Sequence, residues 1–231
     1  VLSGALSPSN KRIILSKNKI MANPPAHLIP SRAAKRANYE PETINSILDE
    51  ALYCTISYSA DNKPYAIPTA FVRYGSRIYV HGSVGSHLMR ELEKGIPVCI
   101  TVTLMDELVV AKSAFHHSVN YRSVVIFAQA EKIESVADKT EAFKWLTEKI
   151  VPGSWDYLRP ITDREVLKTT ALAFKIDEAS AKLRTGMPVD DDDDLELPIW
   201  SGLIPLQTKR LTPIPDKLSE GLPVPPHLAV I

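Results

Sequence analysis

The chain has 231 residues, 45% of them apolar, and its 27 basic side chains are balanced by 27 acidic ones. Zero net charge argues against a protein whose main task is gripping a phosphate backbone, because that needs a basic surface. No stretch approaches the roughly 18–20 apolar residues of a membrane span, and Cys54 and Cys99 form neither a disulfide framework nor a paired zinc motif.

Near the start, Lys11, Arg12, Lys17 and Lys19 interrupt any apolar run that could serve as a signal peptide. A soluble, cytoplasmic protein without nucleic-acid or membrane partners is expected. Proline marks the organisation, because it removes a backbone donor and is kept out of sheet interiors. Residues 1–41 hold five prolines, 42–187 hold five, and 188–231 hold eight. The expected layout is an N-terminal arm at 1–30, a regular domain at 31–187, and an acidic linker with a proline-rich arm at 188–231. Apolar anchors at Leu197–Trp200 and Leu203–Leu206 predict an arm that docks. The run Asp190–Asp194 lacks calcium-loop spacing and reads as a solvated, self-repelling linker.

Within the domain, Ile44, Ile47, Leu48 and Leu52 fall at helical spacing, with Pro41 suited to a first turn. Tyr53–Ser59 alternates as a strand, Asp61-Asn62 supplies a turn, and Tyr65–Tyr74 reads as the partner strand. Pro68 demands an edge position or a bulge there. Arg77–His81 is a third strand, and a short helix follows from Ser86 to Lys94, closed by Gly95. Val98–Leu104 is a strand, turned by Asp106-Glu107 into Leu108–Ala111. Tyr121–Ile133 is a longer strand, Lys139–Ile150 an amphipathic helix, and Ala171–Ile176 with Ala181–Arg184 complete the sheet. Hairpin order with short turns predicts a mainly β protein with helices, an antiparallel barrel of six to seven strands. No strand runs into a GxGxxG turn, so a dinucleotide-binding fold of that kind is not expected.

The usual catalytic constellations are missing. Of the six histidines (His27, His81, His87, His116, His117 and His227), His116 and His117 are adjacent and would face opposite ways in extended chain. No HExxH, GxSxG or Walker-type loop occurs, and no metal site is expected. Two segments are unusual. His81–His87 joins a strand to a helix through small residues, and reads equally as a phosphate cradle and as an ordinary helix N-cap. Arg73, Arg77, Lys112 and Arg122 lie on flanking strands and could converge on a phosphate there. Ser113–Val124 mixes donors, acceptors and aromatics before a long apolar strand, which points to a binding site or an interface.

The order of elements, with YVHGSVGSHLMRELEKGIPVCITVT at 79–103 and SAFHHSVNYRSVV at 113–125, resembles the flavin-nucleotide-binding proteins related to pyridoxamine 5′-phosphate oxidase. Within that group it looks closest to the branch of nitroimidazole-resistance proteins, over roughly residues 30–206. The resemblance implies a split β-barrel homodimer with FMN at the subunit interface. It matches Ile67, Pro68 and Thr69 to the strand along the flavin ring, and Val80 and His81 to the end of its neighbour. Ser86 and His87 match positions the wider family often fills with Arg and Lys to hold the phosphate, a departure that makes phosphate affinity weaker or pH-dependent. Tyr121, Arg122 and Ser123 match a strand contributed by the second subunit, and Trp200 an aromatic that covers the cofactor. Aliphatic walls at 66–70 and 98–103 would suit the ring.

The implied activity is FMN-dependent transfer of electrons from a nicotinamide donor to a small acceptor, a nitroaromatic or quinone-like compound among the candidates, with His81 or His87 assisting as proton donor or acceptor-holding group. The alternative is a non-enzymatic flavin or haem carrier or sensor on the same barrel, since imidazole is a common axial ligand. Pyridoxamine-phosphate oxidation itself is weaker, because Arg210 and His227 stand outside a matching C-terminal motif.

Overall fold

The computed structural model describes residues 24–229. In chain order its elements are β1 (Ala37–Asn38), α1 (Pro41–Glu50), β2 (Tyr53–Ala60), β3 (Lys63–Ala70), β4 (Val72–Tyr74), β5 (Arg77–Ser83) and α2 (His87–Leu92). Then follow β6 (Pro97–Val110), β7 (Ser118–Lys132), α3 (Val136–Ile150), α4 (Asp163–Leu167), β8 (Thr169–Lys175), β9 (Glu178–Arg184), β10 (Gly202–Pro205) and α5 (Pro226–Ala229). The main strand order is β3-β2-β6-β7-β8-β5-β4, with β9 on β7, β1 on β9 and β10 on β6. Every pairing is antiparallel.

The sheet curls around one core because alternate residues point inward. Ile56, Ile78, Val80, Ile100, Val124, Ile126, Leu172 and Phe174 are completely buried there, and Ile44, Ile47 and Leu48 of α1 join the same cluster. The sheet does not close, so the barrel is split. A smaller cluster of Phe143, Val166 and Ala171, with Ile133, Trp155 and Ile161 against it, joins α3 and α4 to the outside of the sheet.

The local chemistry explains most boundaries. Asp61 and Asn62 both take positive φ, 49° and 58°, as a two-residue hairpin turn between β2 and β3 requires. Pro68 sits on β3, the end of the sheet, where its missing N–H is tolerated. Gly95 takes φ 71° just past α2.

Four sequence expectations are corrected. The strand expected over Tyr65–Tyr74 breaks into β3 and β4 at Phe71, whose ring turns fully into the core. Asp106-Glu107 is not a turn: β6 runs straight through, with a register shift between Met105 and Glu107. The bulge frees Asp106 to bond Arg122, while the Glu107 carboxylate accepts from Asn120 at 2.6 Å. The acidic run is not a free linker, because Asp190 accepts the Lys112 N–H at 2.8 Å and Asp191 lies 3.2 Å from His116. Finally α4, β1 and β10 were not expected. α4 is short, but Thr162 and Glu165 form a capping box at its start.

The arms touch the domain at a few points, while the expected anchors Leu197, Ile199 and Trp200 and the stretch 211–218 stay exposed. Leu28 is buried, and His27 meets Glu178 at 3.0 Å and the edge of Phe127. Gly202–Pro205 adds to β6 opposite Glu107–Val110. The N-terminal arm before residue 24 lies outside the described residues.

Candidate functional site

On β5, Ile78 and Val80 face the core, which sends Tyr79 and His81 to the outer face. There α3 crosses, and Phe143 meets the His81 imidazole edge-on at 5.4 Å between ring centres. His81 opens into a cavity of about 800 Å³, walled by Thr140, Phe143 and Thr147 of α3, the loop from Trp155 to Ile161, Glu165 and Thr169. The imidazole sits exposed at the cavity mouth, and partial desolvation by the walls lowers its pKa below the ordinary value, which favours the neutral ring.

Two carboxylates fasten the roof of this cavity. Glu148 accepts the N–H groups of Gly153 at 2.7 Å and Trp155 at 2.6 Å, and these bonds hold its pKa below the usual range. Glu165 accepts from Arg159 and from the backbone and hydroxyl of Thr162, and is pushed down to about 2, chiefly by Arg159. Sequence reasoning missed Phe143, Trp155 and Arg159. The Thr162-x-x-Glu165 box was the available signal.

The positions expected from the family resemblance fall in three groups. Ile67, Pro68 and Thr69 lie on β3 opposite Ile56, Thr55 and Cys54, and the outer edge of β3 is unpaired among the described residues. His87 joins this strand: its Nδ1 lies 3.2 Å from the Tyr58 hydroxyl, and its ring tilts against Tyr65, two residues before Ile67 on the same face. Tyr58 and Tyr65 stack with centres 5.0 Å apart. Val80 is wholly buried, so only its backbone is free to meet a ligand.

In the loop before α2, the Val84 N–H bonds Lys168 O, the Gly85 N–H bonds Ser83 Oγ, and the Ser86 N–H bonds Ser83 O. Those three amides are spent, and Ser86 takes the N-cap position without a side-chain cap bond. The four flanking cations are also engaged elsewhere. Arg73 pairs with Asp49, Arg77 with Glu131, and the Lys112 ammonium donates to Leu197 O. Arg122 donates to Asp106 at 2.7–3.2 Å and to Glu50 at 2.5 and 2.8 Å, which uses four of its five N–H groups. The expected convergence of these cations on the loop is therefore not found, because each has found a carboxylate or carbonyl nearer home.

On β7, Tyr121 lies opposite Met105 and Arg184, and Ser123 Oγ donates to Lys182 O. Trp200 is 64% exposed and folds back over Gly202. The segment 113–124 serves as a dock for the C-terminal arm through its neighbour Lys112 and through His116. The His117 ring bonds Ser113 O instead. Among the described residues no cluster of three metal-ligating side chains occurs, and no helix is long and apolar enough to cross a membrane.

A curled antiparallel sheet left open between its end strands β3 and β4 is the architecture of the split-barrel proteins. The chain belongs to the pyridoxamine 5′-phosphate oxidase family, whose model matches residues 40–183. Among solved structures it is similar to the flavocytochrome Anf3 of Azotobacter vinelandii, with 36% identity, a TM-score of 0.83, and 89% of this chain and 96% of that one covered. It is similar also to an FAD and haem binding protein of Mycobacterium smegmatis, with 35% identity, a TM-score of 0.79, and coverage of 83% and 95%. A protein assigned to 5-nitroimidazole resistance in Bacteroides thetaiotaomicron shares the fold at 20% identity and a TM-score of 0.52, with 63% and 85% covered. No curated protein matches the chain.

Proposed function

We propose that this protein is a flavin-dependent redox protein, holding a flavin nucleotide between two copies of the chain and passing electrons from a nicotinamide donor to a small acceptor. The observation that carries this reading is family membership together with more than one-third identity to two proteins named for their redox cofactors. The free edge of β3 at Ile67–Thr69 offers backbone groups to a ring, and the aliphatic face there suits its dimethylbenzene end. Ser86 and His87 stand nearest the phosphate position, with Tyr121, Ser123 and Trp200 closing the site from the second copy and the arm. Arg122 braces that strand through Glu50 and Asp106. A bound flavin supplies the hydride and one-electron chemistry, while the chain orients it and shapes access. With Arg73, Arg77, Lys112 and Arg122 engaged elsewhere, the phosphate would rest on the loop hydroxyls and on His87.

The experiment is a visible spectrum of freshly purified protein, identification of the released flavin as FMN or FAD by chromatography, and stopped-flow bleaching with NADH and NADPH. A colourless protein that ignores both added flavins refutes the reading.

A second redox group is favoured by one further observation. The His81 cavity combines about 800 Å³, apolar walls from Phe143, Trp155, Leu158, Pro160 and Ile161, a charged rim from Asp156, Arg159 and Glu165, and an imidazole whose lowered pKa favours the neutral ring. These residues fit a haem, with His81 as the nitrogen ligand, the apolar walls against the macrocycle and Arg159 at the rim for a carboxylate. Haem would add one-electron chemistry beside the flavin. Titration with haem should produce a Soret band that is lost in His81→Ala and kept in His116→Ala, whose ring is turned to Asp191. Equal affinity in both variants refutes it.

A further inference from the structure

We infer that Tyr79, Trp145 and Tyr74 form an oxidisable ladder that carries single electrons from the protein surface to the redox group of the His81 cavity. The inference rests on the haem reading above and adds an electron route to it.

Tyr79 and His81 stand two residues apart on the outer face of β5, a separation of about 6.6 Å along the strand. The indole of Trp145, on α3, meets Tyr79 edge-on with centres 5.0 Å apart. It also lies over Tyr74 with centres 3.9 Å apart and planes only 8° from parallel. Phe143, two residues before Trp145, touches His81 itself. Aromatic contact therefore runs from Tyr79 through Trp145 to Tyr74, which is 47% exposed, and the single strand step from Tyr79 to His81 is left as a gap for the electron to cross.

Packing a helix on a sheet needs apolar area, which Leu or Phe would supply. Packing alone also disfavours a near face-to-face pair, since the ring quadrupoles repel and aromatic pairs settle offset or edge-on at about 4.5–7 Å. The Tyr74–Trp145 pair is closer than that range and nearly parallel, which brings the two π-faces into direct contact. All three rungs are phenol or indole, the side chains that lose a single electron most readily.

Hydrogen peroxide takes up two electrons and two protons to give two waters. One electron comes from the redox group in the cavity. The other comes from the ladder, passed through Trp145 and finally drawn from Tyr74. The phenolic proton of Tyr74 leaves to water at the surface, and the solvent supplies the remaining proton. A one-electron donor such as ferrocyanide then restores Tyr74, taking back a proton from water.

The test uses the full chain loaded with haem, mixed with hydrogen peroxide, freeze-quenched and read by electron paramagnetic resonance, with ferrocyanide oxidation followed in parallel. Trp145→Phe and Tyr74→Phe keep ring area on α3 and β4. The parent should show a tyrosyl radical. That signal should be lost in Tyr74→Phe, and in Trp145→Phe both the signal and ferrocyanide oxidation should fall, with the Soret band and haem affinity intact. An unchanged radical in Trp145→Phe overturns the ladder. So does loss of the radical only in Trp155→Phe, which would place the route through the cavity wall instead. Absence of a Soret band before peroxide is added overturns the haem reading itself, and is seen separately.

Discussion

Arg122 is the sharpest place to test whether the strand β7 is braced as the structure implies. Arg122→Met keeps the aliphatic stem and removes the guanidinium. Glu50 is 53% exposed, so its arm of the network is a surface pair with a contribution of about 0.2–1 kcal/mol. Arg122 and Asp106 are 28% and 29% exposed, and hydrogen bonds to charged groups in such settings contribute about 1.5–3 kcal/mol. The expected loss at pH 7 is about 2–3 kcal/mol, or about 4–12 °C in Tm for a chain of this length. The sign with pH follows from Glu50, whose pKa lies below its ordinary value chiefly because Arg122 donates to it. A depressed carboxylate pKa stabilises the fold above the unfolded value of about 4.3, and that stabilisation disappears as pH falls through the folded value. Urea unfolding of parent and variant at pH 7 and pH 3 measures both effects. Equal midpoints at pH 7, or a deficit undiminished at pH 3, would refute the reasoning. Flavin titration of the folded variant separates brace from ligand: four of five donors are already spent in the chain, so affinity should change little.

Other perturbations have equally direct readouts. In Gly82→Ala the new methyl would sit 3.0 Å from both Cγ and Cε of buried Met89, and because that side chain is flexible the cost should be about 1–2 kcal/mol in chemical denaturation; no loss would show that α2 is looser than described. In Gly202→Ala the methyl would meet the Trp200 ring at 2.9 Å, so the exposed indole must swing away. Tryptophan emission should shift while stability stays within about 0.5 kcal/mol, and an unshifted spectrum counts against the fold-back of the arm. Glu165 fastens the cavity roof with a pKa near 2, so its contribution persists above the ordinary glutamate range and is lost as pH falls toward about 2. Protection factors of the Thr162 and Glu165 amides, corrected for intrinsic exchange, should therefore hold at pH 5 and fall as pH drops from about 4 toward 2, and a fall already at pH 5 would break the assignment.

Strand alternation and turn chemistry made most of the barrel legible before any coordinates. Asp61-Asn62, Pro68 and Gly95 each announced a backbone demand that the fold meets. The errors share a cause: a local signal was outcompeted by a distant partner. Asp106 looked like a turn residue until Arg122, sixteen positions on, drew it out of the ladder. The five aspartates looked solvated until Lys112 and His116 claimed two of them. The four cations looked free because their partners, carboxylates for the three arginines and the Leu197 carbonyl for Lys112, lie far away in sequence. The His81 cavity was half legible. His81 itself was singled out, but the roof that desolvates it comes from the irregular loop Trp155–Ile161, which has no periodicity to read.

β7 bonds β6 along Ser118–Gln129, β9 along Tyr121–Phe127 and β8 along Ala130–Lys132, so a single strand stitches both halves of the barrel. Neither half can unzip while the other survives, and melting should be all-or-none. The β6–β7 ribbon, like the shorter β2–β3 hairpin, pairs strands that follow each other in the chain, whereas joining β5 to β8 must wait for closure of the long intervening stretch. The ribbon is thus the natural nucleus, and a chain nicked within it should fail to renature, while a nick in the Asp61-Asn62 turn should be tolerated.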